Sequence, residues 1–171
     1  PRSGELNVPV NPVSENLALD KVKLTQPETP EILADLRDLR IYGDSWDDNF
    51  ASLKNLIHQL HSIQKVTSLA EENDADIVAF IRPDLKYHDS LYSAFQKVVK
   101  AHRSGASVVF APDWQRWGGV NDRFAIAVGP NAIRAYGNRL NCARDFCESL
   151  GRPLHSERLL AFALEHARVP V

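Results

Sequence analysis

Asp76-Ile77-Val78-Ala79-Phe80-Ile81 is a short, β-branched apolar run bounded by polar residues. A strand covered on both faces reads this way, as in a parallel sheet clothed by helices on either side. Downstream, Ser90 to Arg103 returns apolar residues at helical spacing through Leu91, Phe95, Val98 and Val99. Ala106-Ser107-Val108-Val109-Phe110-Ala111 and Phe124-Ala125-Ile126-Ala127-Val128 then repeat the buried-strand pattern. Upstream, Glu28 to Ile41 reads as a short amphipathic helix stopped by Gly43 and Asp44. Ser45-Trp46-Asp47-Asp48 has the cap residue and early acids of a second helix, with Phe50, Leu53, Leu56, Ile57, Leu60, Ile63 and Leu69 on its apolar face. Three more helices follow the last strand: one opened by Gly129-Pro130-Asn131, one from Ala143 to Leu150, and one led by His155-Ser156-Glu157. Helices alternating with buried strands predict a single α/β layered domain over residues 1–171, with a mixed, mostly parallel sheet. Residues 1–27 show no sustained period and read as extended chain, with Val22 and Leu24 alternating like a short strand.

The bulk properties exclude several function classes. The chain has 171 residues, 44% of them apolar and 25% charged, ordinary values for a globular domain. A net charge of -2 and a pI near 6.3 give no overall electrostatic footprint for nucleic acid or an anionic membrane. No apolar run approaches the roughly 20 residues of a membrane span, and no signal-like start is present. The cytoplasm is therefore favoured over secretion. A start at Pro1-Arg2-Ser3-Gly4 and the lack of any Met suggest a processed product or part of a longer chain. Cys142 and Cys147 lie five positions apart, which on a helix points them to different faces and argues against a mutual disulfide.

Function concentrates between the last two strands. A purely structural turn there would need about two to five residues. The chain instead places Trp114, Trp117, the pair Gly118-Gly119 and the triplet Asn121-Asp122-Arg123 in that connection. Either Trp could stack on the apolar face of a sugar, and the glycines allow backbone to approach a ligand. Asp122 is the natural general base or hydrogen-bond acceptor, with Asn121 and Arg123 to orient it. The alternative is a packed loop in which Asp122 and Arg123 pair with each other or with a neighbouring helix.

Two further clusters could add chemistry. Arg82-Pro83-Asp84 leaves the carboxyl end of the first strand, where open α/β sheets bind ligands. Arg82 suits a phosphate or carboxylate, and Asp84 suits a divalent metal; an Arg82–Asp84 salt bridge is the plainer account. His155-Ser156-Glu157 opens the last helix. Glu157 reads most simply as a first-turn acid, whereas His155 sits where its ring could reach the same cleft. A His with carboxylates and phosphate oxygens is a plausible set for Mn or Mg. His58 and His61 receive no role. No Walker loop, dinucleotide glycine fingerprint, Cys-x-x-Cys, His-Glu-x-x-His or Gly-x-Ser-x-Gly occurs.

The series Asp76 to Leu85, then Val108-Val-Phe-Ala-Pro-Asp113, then Trp117-Gly-Gly-Val-Asn-Asp-Arg-Phe-Ala125, then Leu154-His-Ser-Glu157 resembles a group of glycosyltransferases of viral, bacterial and algal surface-glycan pathways. The likeness spans residues 44–165. It implies a GT-A-like fold, a nucleotide-sugar donor, a glycan acceptor and a divalent metal. Asp84 takes the place of the metal-holding acid of that fold's Asp-x-Asp motif, with His155 as a second metal or diphosphate contact and Asp122 as the base facing the acceptor. Arg82 stands where the first Asp of the motif would be. No strand-and-loop unit that grips the nucleotide base is recognisable in residues 1–43, so the resemblance implies a domain lacking that strand. Two other functions stay open: a non-catalytic glycan-binding module or inactive relative, and another nucleotide-sugar or phosphate-handling enzyme.

Overall fold

The structure, a computed structural model, describes residues 30–82, 88 and 90–171. The expected strand around Val22 and Leu24 lies outside the described residues. The order of elements is α1 (Pro30–Arg40), α2 (Ala51–Glu72), β1 (Ile77–Ile81), α3 (Tyr92–Arg103), β2 (Val108–Phe110), β3 (Phe124–Val128), α4 (Pro130–Gly137), a 3-10 turn (Arg139–Cys142), α5 (Ala143–Leu150) and α6 (Ser156–His166).

Helices and sheet layer as expected, but the sheet direction differs from the mostly parallel expectation. The strands are ordered β1-β3-β2, and both contacts with β3 are antiparallel. Val128 lies level with both Ile77 and Val108, so β1 and β2 run the same way with β3 reversed between them. The connection through α3 thus leaves a slot that β3 fills. Composition could not reveal this, because a strand covered on both faces is apolar whichever way its neighbours run. That reading fits β3, buried at all five positions. It does not fit β1, which exposes Ala79 and Ile81.

Side-chain size matches across the strands. Ala125 and Ala127 on β3 stand between Phe80 and Val78 on one side, with Val109 opposite Ala127 on the other. The small residues leave room for Ile133 and Tyr136 of α4 and Leu160 and Leu164 of α6, which share this core. Phe124, Ile126 and Val128 face the other way and pack on Val98 of α3. A third cluster joins α1, α2, α5 and α6 through Leu39, Leu56, Leu60, Phe146 and Leu159. α4 can lie close to α2 because Gly137 has no Cβ; one built there would overlap the Thr67 side chain.

The second helix begins later than its cap signal suggests. The Asp44 carboxylate accepts from the backbone N–H groups of Trp46, Asp48 and Phe50 at 2.8–3.0 Å, which folds residues 44–50 into a loop. Asp47, Asn49 and Phe50 hold positive φ there. These donors keep the Asp44 carboxyl below the usual range, with Phe50 contributing most. Asp48 then receives the Ser52 N–H at 3.1 Å, and α2 starts at Ala51.

Candidate functional site

Strand register joins the Arg82 cluster to the aromatic loop. Ile81 pairs with Phe124, so Arg82 leaves β1 beside Asp122 and Arg123 as they enter β3. All three line a cleft of about 320 Å³ between α2 and the carboxyl end of β1, walled also by Gln59, Phe80 and Tyr136. Pro83 and Asp84 lie outside the described residues, and with them the expected metal acid.

Asp122 is the hub of this site and only 6% exposed. Its Oδ2 accepts from Ser156 Oγ and from Gln59 Nε2 at 3.3 Å, and lies 3.8 Å from Nη2 of Arg139. All three contacts fall on one oxygen. The Asp122 carbonyl accepts from Tyr136 Oη at 3.2 Å. Arg139 is itself fully buried, at 0% exposure. It donates from Nη1 to the Tyr136 carbonyl at 2.7 Å and lies over the Tyr136 ring at 4.5 Å, while its Nε and Nη2 have no hydrogen-bond partner among the described residues. A buried guanidinium needs a counter-charge, and Asp122 supplies it.

The aromatic loop is docked on the first turn of α6. Val120 N–H donates to the Glu157 carbonyl at 2.9 Å, and Arg158 Nε donates to the Trp117 carbonyl at 3.2 Å. Gly119 is required by this contact, because a Cβ there would overlap the Glu157 carbonyl. Gly118 holds a φ of 80° beside the Arg158 side chain. Asn121 is buried and clamps the loop: Nδ2 donates to the Trp114 carbonyl at 2.7 Å, and Oδ1 accepts the Arg123 N–H at 2.9 Å. The two glycines and Asn121 thus shape the loop, a different role from the expected ligand contact. Trp114 and Trp117 are exposed, and Arg123 lies over the Trp114 ring at 5.9 Å.

His155 and Glu157 flank Ser156 at the same helix mouth. The His155 ring stacks on Trp46 at 5.5 Å, and Ser45 Oγ donates to the Leu154 carbonyl at 2.8 Å, so the loop before α2 backs this turn. Burial, and then the charge of Arg158, hold the imidazole below its usual range. Its Nδ1 approaches Glu157 Oε2 at 3.2 Å, yet the angle makes no hydrogen bond. A neutral imidazole makes this approach a contact between buried polar atoms rather than an ion pair. Burial, and then the neighbouring Asp122, raise the Glu157 carboxyl above its usual range. Among the described residues no group of three His, Cys, Asp or Glu side chains is arranged to hold a metal ion.

Gln59, Arg139 and Tyr136 carried no signal in the sequence, and Ser156 read only as a helix opening. Each reaches Asp122 from a helix remote in sequence. His61, left without a role, contacts Asp35 at 2.7 Å on the far side of α2. Comparison with protein-family models, curated proteins and solved structures finds no match in any of the three.

Proposed function

We propose that this chain is a glycosyltransferase domain that moves a sugar from a nucleoside-diphosphate donor to a hydroxyl of a glycan or other acceptor. The observation that carries the reading is the meeting of Arg82, Arg123 and Asp122 in one cleft at the carboxyl end of β1. Such a transfer needs positive charge on the departing diphosphate and a base for the acceptor proton. Arg82 and Arg123 supply the first. Asp122 supplies the second through Oδ1, since its bonds to Ser156 and Gln59 fall on Oδ2. The acceptor proton passes to that carboxylate, the acceptor oxygen bonds to the anomeric carbon, and the bond from that carbon to the diphosphate oxygen breaks. Trp114 and Trp117, exposed on the same loop, offer ring faces to a sugar.

The described residues do not make up an Mn or Mg site. His155 is stacked on Trp46 and Glu157 is the one acid beside it, so no step here runs through a metal.

Calorimetry with UDP, GDP and their sugars, with and without Mn, tests the donor site. Binding should weaken in Arg82→Ala, and Asp122→Asn should retain binding while transfer falls about 100- to 10,000-fold. One observation favours a second reading, a non-catalytic glycan-binding module: the Asp122 carboxylate already balances a buried arginine. Oligosaccharide binding with no nucleotide-sugar binding under any condition would establish that reading instead.

A further inference from the structure

The whole-chain charge conceals a local asymmetry on α3. This helix carries Lys97, Lys100 and Arg103 and no Asp or Glu, in a chain whose net charge is -2. Its inner face holds Val98 at 1% exposure against Phe124, Ile126 and Val128, with Leu91 and Ala101 beside it. Its outer face is not the polar surface such a helix usually presents. Tyr92, Phe95 and Val99 stand there at 70%, 43% and 42% exposure. Their spacing of three and four residues makes one stripe along the helix. Arg103 continues the stripe, and Gln96 and Lys100 border it.

We infer that α3 is a membrane-docking helix that rests this domain on an anionic bilayer surface. An apolar stripe edged by Lys and Arg is the pattern that inserts shallowly between headgroups while cations meet lipid phosphates and carboxylates. Tyr92 suits the headgroup level, with an apolar ring and a polar tip. The alkyl stems of Lys100 and Arg103 extend the apolar contact and leave their charges in the polar layer. The shape favours a bilayer over a protein partner. A 12-residue helix is about 18 Å long. Three exposed apolar side chains on one convex ridge fall short of the roughly 800 Å² per partner of a stable protein interface. The inference is independent of the glycosyltransferase reading, because none of these residues lines the Asp122 cleft.

Co-sedimentation with vesicles tests it, using phosphatidylcholine alone and an equal mixture of phosphatidylcholine and phosphatidylserine. The protein should pellet with the mixed vesicles only, and raised salt should release it. Lys100→Gln with Arg103→Gln should weaken partitioning on the order of 30-fold, at about fivefold per cation. Phe95→Ser with Val99→Ser should abolish binding and leave thermal unfolding unchanged, since both side chains are exposed. No pelleting with mixed vesicles, or equal pelleting by wild type and both variants, overturns the inference. So does a dimer in light scattering that the Phe95→Ser, Val99→Ser variant dissolves, because a second copy would then cover the stripe.

Discussion

Gly119 lies so close to the carbonyl of Glu157 that a Cβ on it would overlap that oxygen and its carbon. The contact seats the aromatic loop on α6 and aligns Val120 N–H with the same carbonyl at 2.9 Å. Both obstructing atoms are backbone, so no rotamer change relieves the clash. Gly119→Ala should therefore cost about 2–4 kcal/mol, near the upper end for single substitutions. Gly151→Ala serves as a comparison: nothing lies within 4 Å of its Cβ position, and only its φ of 57° is unfavourable. It should cost about 1 kcal/mol. Urea denaturation of the pair checks the prediction, and equal losses would mean that the seat yields.

The Asp122–Arg139 pair should show strong coupling. Each is buried, and removing either leaves the other charge uncompensated. Asp122→Asn and Arg139→Met should each destabilise by about 3–5 kcal/mol. The double variant should lose less than their sum by more than about 1 kcal/mol. Additive losses would show that the 3.8 Å approach contributes nothing measurable.

Much of this site could be anticipated, and what could not has identifiable causes. Asp122 stood out because a loop between two strands held more polar and aromatic residues than a turn requires. Its partners did not, because Gln59 and Arg139 come from helices whose spacing shows only which face is apolar. Arginine is also rarely buried, so position 139 gave no reason to look inward. The helices were legible from the spacing of residues such as Leu53, Leu56 and Leu60. The start of α2 was misread because Asp44 gathers three N–H groups into a loop instead of capping a helix. Strand direction was illegible because the run Phe124–Val128 is buried on both faces, and that pattern carries no sign of which way its neighbours run.

The two cysteines should differ in reactivity. Burial, and then the charge of Glu148, push the Cys147 thiol up to about 11, so almost no thiolate exists at neutral pH. Cys142 is also raised, chiefly by burial, but is partly exposed. Iodoacetamide at neutral pH should label Cys142 slowly and Cys147 only after unfolding, as peptide mass spectrometry would show. Rapid labelling of Cys147 in the folded protein would contradict its placement in the core.

The pH dependence of stability should carry two opposing contributions from one helix mouth. His155 is held below its usual range, so between that lowered value and the ordinary 6.5 the unfolded chain binds more protons. Its contribution therefore rises with pH and is lost as pH falls through that window. Glu157 is raised above its ordinary 4.5, so above that value the folded chain keeps a proton that the unfolded chain releases. Its contribution falls as pH climbs from 4.5 to the raised value, and the penalty persists beyond it. The windows adjoin or overlap between pH 4.5 and 6.5, so the wild-type profile should be flatter there than either group alone would make it. Glu157→Gln should remove the falling limb and steepen the rise, and His155→Asn should leave a net decline. Denaturant titrations of the three proteins across this range decide the matter, and identical profiles would show that neither group titrates differently on folding.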